Sequence, residues 1–187
     1  LDYELVQVDM AKGEQKSPEF LKKNPSGKVP VLELDDGRYL SESIAICRYL
    51  EAVYPEPNLF GKDAYELGHI EMRNRVMETE LWPQIGVSWI NGPIVAKMGI
   101  YKQIPEAKEV SDVNVNNYYG RLDNEFAESE YVAGDRFTIA DITLITAIDF
   151  ARTLVGLKPD ESLTNLWRWH ALLSSRDSID DVAAPKK

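Results

Sequence analysis

Pro55-Glu56-Pro57 divides the chain into two differently patterned parts. Before that break, short strand-like apolar runs and helical stretches alternate with turn formers. From Ala64 onward apolar residues recur only at helical spacing. A chain patterned this way is a small mixed α/β part followed by an all-helical part. The join falls in residues 56–63, where Pro57 and Gly61 read as turn formers of a linker. The expected division is therefore a front domain over residues 1–55, the linker over 56–63 and a helical domain over 64–187.

In the front part, Tyr3 to Val8 alternates like a half-buried strand, and Asp9 to Lys16, containing Gly13, reads as a loop. Ser17-Pro18-Glu19 opens a helix with a capping hydroxyl, a proline at the first helical position and an acid in the first turn. Asn24-Pro25 stops it. Val29 to Leu34 and Arg38 to Leu40 read as strands around an Asp35-Asp36-Gly37 hairpin turn. Ile44, Ile46, Cys47, Leu50, Val53 and Tyr54 then mark a helix with a broad apolar face. This order predicts a sheet of three strands whose opening strand and helix lie upstream of Leu1. The first residue is not Met, and strand-like alternation is already under way there.

The rear part predicts a long helix from Ala64 to Asn91, kinked at Pro83 and ended by Gly92-Pro93. A second helix is predicted from Glu106 to Ser129, a third opening at Thr138, a fourth near Leu163 and a short one after Asp177. Gly134-Asp135-Arg136-Phe137-Thr138-Ile139-Ala140-Asp141-Ile142 fits a capping box with a hydrophobic staple. Thr138 is its cap, Asp141 its reciprocal acid, and Phe137 with Ile142 the staple. Its role is structural: it fixes where a buried helix begins.

Composition narrows the function classes. A net charge of -10 over 187 residues argues against general nucleic-acid binding and against an anionic membrane surface as partner. An anionic ligand would need a local pocket, because the global field repels it. The single cysteine, Cys47, allows no internal disulfide and suggests a cytoplasmic chain. His69 and His170 are far apart and give no metal-ligand spacing. No apolar run approaches the roughly 18 residues of a membrane span.

The sequence of signals resembles a known family. It runs strand, helix, Asn24-Pro25-x-Gly27-Lys28-Val29-Pro30-Val31-Leu32, hairpin, Glu42-Ser43, linker, helical domain, and Gly134-Asp135-x-Phe137-Thr138-Ile139-Ala140-Asp141. Together these are similar to a cytosolic glutathione S-transferase over nearly the whole chain. The segment Gly13 to Phe20 resembles the theta- and phi-like branches, with Gln15 where those often carry His.

The resemblance implies a thioredoxin-like front domain in which the Val29-Pro30 bond is cis and the Val29 backbone pairs with the cysteinyl part of glutathione. It implies that Lys28 holds the glycyl carboxylate, with Gln15 beside it and Lys16 a weaker candidate. Glu42 would take the γ-glutamyl ammonium, and Ser43, at a helix N-terminus, the γ-glutamyl carboxylate. Glutathione enters as co-substrate, with no metal, and a homodimer is expected. The family activates the thiol with a Tyr, Ser or Cys in the first strand-to-helix turn, which would lie before Leu1. No residue of this sequence is assigned that role. Tyr3 falls in the second strand, and Cys47 lies on the apolar side of a helix, where cysteines usually pack rather than react.

The second substrate would be electrophilic and partly apolar. Met72, Trp82, Trp89 and Tyr101 could line its pocket or serve as core or dimer interface. Arg73 and Arg75 are open between dimer contacts and a solvated face. Two functions follow: attack by the glutathione thiolate on an electrophilic small molecule, or ligand binding and interaction on the same fold without turnover.

Overall fold

The structure is a computed structural model and describes residues 3–179. The chain divides into two compact units, Leu1–Asn58 and Leu59–Lys187.

In the first unit, residues 3–8 run without secondary structure. The alternation there predicts a strand, but no described strand pairs with this segment, and Leu5 is 79 % exposed. Alternation reports which side chains are apolar; it does not supply the ladder partner a strand needs. The sheet is accordingly two-stranded. A 3-10 turn at Glu14–Lys16 leads into helix α1, Pro18–Lys23. The Ser17 hydroxyl caps α1 by accepting from the Phe20 N–H at 3.2 Å. Strands β1, Val31–Glu33, and β2, Tyr39–Ser41, form an antiparallel hairpin. Its turn is closed by the Gly37 N–H to the Leu34 carbonyl at 2.9 Å, with Gly37 at φ 82°. Lys23 ties α1 to the hairpin through Glu33 at 2.7 Å. That hydrogen bond holds the Glu33 carboxyl below its usual range. Helix α2, Ser43–Val53, follows β2 with one intervening residue.

The second unit is all helical: α3, Ala64–Val76; α4, Trp82–Ile90; α5, Pro93–Met98; α6, Pro105–Phe126; α7, Ile139–Phe150; α8, Thr164–Ser174. The predicted long helix is α3 and α4, joined by a π turn at Met77–Leu81. The cause is Pro83, which has no N–H to continue the ladder and crowds the preceding turn. A second π turn, Ala151–Val155, ends α7 at Gly156.

The core of this unit is drawn mainly from the first π turn with α4 and from α6, α7 and α8. Met77, Leu81 and Ile85 recur every fourth residue, and Tyr119, Leu122 and Phe126 meet them from α6. Leu144 and Ile148 come from α7, and Leu166, Trp169 and Leu173 from α8. Phe126 and Trp169 stack with ring centres 5.0 Å apart.

The capping box predicted at Thr138 is present. Its acid does more than close a box. The buried Asp141 carboxylate accepts from the Thr138 N–H at 2.9 Å, the Val132 N–H at 2.9 Å and the Trp169 indole N–H at 3.0 Å. It thereby ties the start of α7 to the preceding turn and to α8. Burial pushes the Asp141 carboxyl up from its usual value, and these donors pull it partly back. Of the short helix predicted after Asp177, residues 177–179 are helical; its remainder lies outside the described residues, as do Pro185-Lys186-Lys187.

Candidate functional site

The predicted site residues fall on three neighbouring pieces of the first unit, and hairpin register decides how they meet. Val31 pairs with Ser41. The residues just before Val31 and just after Ser41 therefore lie at the same end of the hairpin, on strands spaced about 4.8 Å apart. Those residues are Val29-Pro30 on one strand and Glu42-Ser43 on the other. The Val29-Pro30 peptide is cis.

Gln15 and Lys28, thirteen positions apart, are joined through Gly27. Gly27 adopts φ +61°, and a Cβ there would come within 2.9 Å of the Gln15 carbonyl oxygen and 2.6 Å of Lys16 Nζ. The Lys16 ammonium donates to the Ser26 carbonyl at 3.2 Å. The 3-10 turn thus packs directly on the turn that presents Lys28. Lys16, a weaker candidate from sequence, is committed to that turn.

The free polar groups at this corner are of mixed sign. The Lys28 ammonium and the Glu42 carboxylate are both exposed and have no ion-pair or hydrogen-bond partner among the described residues. Gln15 Oε1 is buried and likewise has no hydrogen-bond partner. A buried amide oxygen without a donor costs about 1–3 kcal/mol, a cost a bound donor could relieve.

Ser43 lies at a helix N-terminus, as expected: it is the first residue of α2, and the cap position is Glu42, whose side chain makes no capping bond. Glu42 holds φ 69°, ψ 117°, the sole positive-φ non-glycine conformation among the described residues. Such a backbone costs of order 1–3 kcal/mol. The Glu42 carbonyl accepts from the Ile46 N–H at 3.0 Å. The N–H groups of residues 43–45 have no intrahelical acceptor and, with the helix dipole, suit a carboxylate.

Asn24, read from sequence as a helix stop and as the first residue of the Asn24-Pro25-x-Gly27 motif, proves central to the turn. It is 4 % exposed. Its Nδ2 donates to the Lys28 carbonyl at 2.7 Å, and its Oδ1 accepts from the Ser26 N–H at 3.1 Å and the Ser26 hydroxyl at 2.9 Å. The Asn-Pro-Ser-Gly order was the available signal, because Asn bonds the backbone two residues on and glycine then takes the positive φ.

Other candidates separate clearly. Burial pushes the Cys47 thiol up, which disfavours its nucleophilic form. Trp82 and Trp89 join Phe150 in an aromatic cluster of the helical unit, at 5.7 and 5.4 Å. Met72 and Tyr101 are exposed. Arg73 is an internal tie, bonded to Glu125 and to the Val132 carbonyl, whereas Arg75 pairs with Glu78 at 3.2 Å. Among the described residues, no three His, Cys, Asp or Glu side chains are grouped to hold a metal, and no helix is long and apolar enough to cross a membrane.

Comparison with known proteins gives the family. The glutathione S-transferase N-terminal domain matches residues 1–53, and the glutathione S-transferase C-terminal domain matches residues 90–177. Glutathione S-transferase 2 of Saccharomyces cerevisiae is 36 % identical over 178 residues, covering 94 % of this chain and 76 % of the yeast protein. The crystal structure of Gtt2 from the same yeast superposes with a TM-score of 0.85 at 36 % identity, over 95 % of this chain and 85 % of that one. Elongation factor 1-gamma 2 of Oryza sativa is 34 % identical over 148 residues, 76 % of this chain but only 34 % of the rice protein. With its small thioredoxin-like front domain and all-helical rear domain, the chain belongs to the glutathione S-transferase family.

Proposed function

We propose that the chain is a glutathione transferase. Its reaction is nucleophilic attack by the glutathione thiolate on an electrophilic carbon of a partly apolar small molecule: a C–S bond forms, and a leaving group departs or a π bond is consumed. The observation that carries this reading is the single corner built by hairpin register. It offers an unpaired ammonium, an unpaired carboxylate, a free helix N-terminus and an exposed backbone edge. Glutathione has the complementary groups, two carboxylates, one ammonium and a peptide backbone.

On this reading Lys28 holds the glycyl carboxylate, and the Gln15 amide bonds the same end of the peptide. The Val29 backbone, beside Pro30, pairs with the cysteinyl residue like an added strand. Glu42 takes the γ-glutamyl ammonium, and Ser43 with the N–H groups of α2 takes the γ-glutamyl carboxylate. The working form is a cytoplasmic homodimer.

The likeness to an elongation factor 1-gamma supports a second reading, an interaction or ligand-binding module without turnover. Thiol consumption separates the two. Glutathione is incubated with aryl halides, epoxides and enones, and conjugates are weighed by mass spectrometry. Protein-dependent conjugation that drops at least tenfold in Glu42→Ala is expected of the enzyme. Glutathione binding with no acceleration for any electrophile favours the second reading.

A further inference from the structure

We infer that Asn24 is a positioning residue for the peptide-binding corner: it sets the Lys28-Val29 peptide plane so that the Val29 N–H faces the cysteinyl carbonyl of bound glutathione. The inference rests on the glutathione-binding reading above.

Asn24 sits at the end of α1, beside an exposed turn, yet it is buried and uses both ends of its amide. Its Oδ1 gathers Ser26, and its Nδ2 pulls the Lys28 carbonyl inward at 2.7 Å. The Lys28-Val29 bond is trans. In a planar trans peptide the C=O and N–H point to opposite sides. Anchoring the carbonyl on a buried amide therefore turns the Val29 N–H away from it. Val29 is 44 % exposed, and its N–H has no hydrogen-bond partner among the described residues.

An amide without a partner, held in one direction two residues before β1, is the donor an added strand requires. Two further contacts keep the turn from rotating. The Lys16 ammonium holds the Ser26 carbonyl at 3.2 Å, and the Gly27 N–H donates to the Asn24 carbonyl at 2.9 Å. Lys28 contributes its side chain to the ligand's glycyl end, while Asn24 acts through the backbone on the middle. The two residues therefore have separable effects.

The test uses the full chain and two probes, glutathione and γ-glutamylcysteine, which lacks the glycyl carboxylate. Asn24→Asp keeps the shape and the acceptor but removes the donor to Lys28. It is expected to weaken both probes by about tenfold, whereas Lys28→Ala weakens glutathione and leaves γ-glutamylcysteine unchanged. Unchanged binding by a folded Asn24→Asp overturns the assignment. So does a loss confined to glutathione, which would place the effect on the Lys28 side chain.

The wild-type Val29 amide gives a second readout that does not depend on the variant folding. Its proton resonance should shift, and its hydrogen exchange slow at least tenfold, on saturation with glutathione. No response there overturns the assignment. If the wild-type chain binds no glutathione, or Glu42→Ala binds as well as wild type, the binding corner itself is misassigned and the role of Asn24 falls with it.

Discussion

At residue scale, the corner depends on positions that never need to touch a ligand. Gly27 is one. Of the atoms a Cβ would meet there, the Lys16 ammonium can swing aside, but the Gln15 carbonyl cannot move without displacing its turn. Gly27→Ala should therefore destabilise the chain by more than about 1 kcal/mol. It should also weaken glutathione binding, because the shift reaches Gln15 and Lys28 together. Thermal denaturation and calorimetry on the one variant check both parts. Cys47 makes the opposite case. Because burial raises its thiol pKa, less thiolate is present at neutral pH than for a free cysteine. Iodoacetamide should alkylate the native chain roughly tenfold or more slowly than it does the denatured chain. Cys47→Ser should leave transferase activity intact, and loss of activity there would mark the thiol as reactive rather than packed.

At element scale, the start of α7 gathers three N–H donors on one buried side chain, Asp141. Asp141→Asn replaces an acceptor by an amide donor facing buried N–H groups, and leaving one unpaired costs about 1–3 kcal/mol. Denaturant titration should show this loss. The pH dependence follows from the raised Asp141 carboxyl. A raised folded-state value means the group's contribution is complete below the ordinary value of 3.8 and declines as pH rises through the folded value. The stability gap between wild type and Asp141→Asn should therefore narrow with increasing pH across that window; a gap that widens contradicts the assignment.

This element was legible in the sequence because Thr138 and Asp141 sit at the spacing a box requires. Helices α1, α2, α6 and α8 and the hairpin were legible for similar reasons, since apolar period and Pro or Gly punctuation act locally. What was not legible depends on longer-range matters. The π turn before Pro83 reflects how the ladder accommodates a missing donor. Tyr3 to Val8 alternates, but pairing belongs to a neighbour. Helix α5 is six residues between Gly92 and Gly99, too short to show a period. The positive φ of Glu42 at the cap position of α2 had no signal in its residue type. The candidate residues were legible as types, while the buried amide of Asn24, bonded to Ser26 and to the Lys28 carbonyl, was not.

At the scale of the whole molecule, the chain combines a front unit that contains no fully buried hydrophobic side chain among its described residues with a rear unit that holds the core. The proposed glutathione corner lies on the lightly packed unit, at the end of its hairpin. A net charge of -10 makes an anionic tripeptide an unfavourable partner overall. On the proposed reading, binding comes from the local arrangement of Lys28, Gln15, the Val29 backbone, Glu42 and the α2 N-terminus. Calorimetric titration of glutathione into the complete protein and into Glu42→Ala and Ser43→Ala tests that claim most directly. Saturable one-to-one binding by wild type, weakened at least tenfold in Glu42→Ala and clearly in Ser43→Ala, is the predicted result. Absence of binding by wild type, or equal affinity in all three proteins, would contradict it.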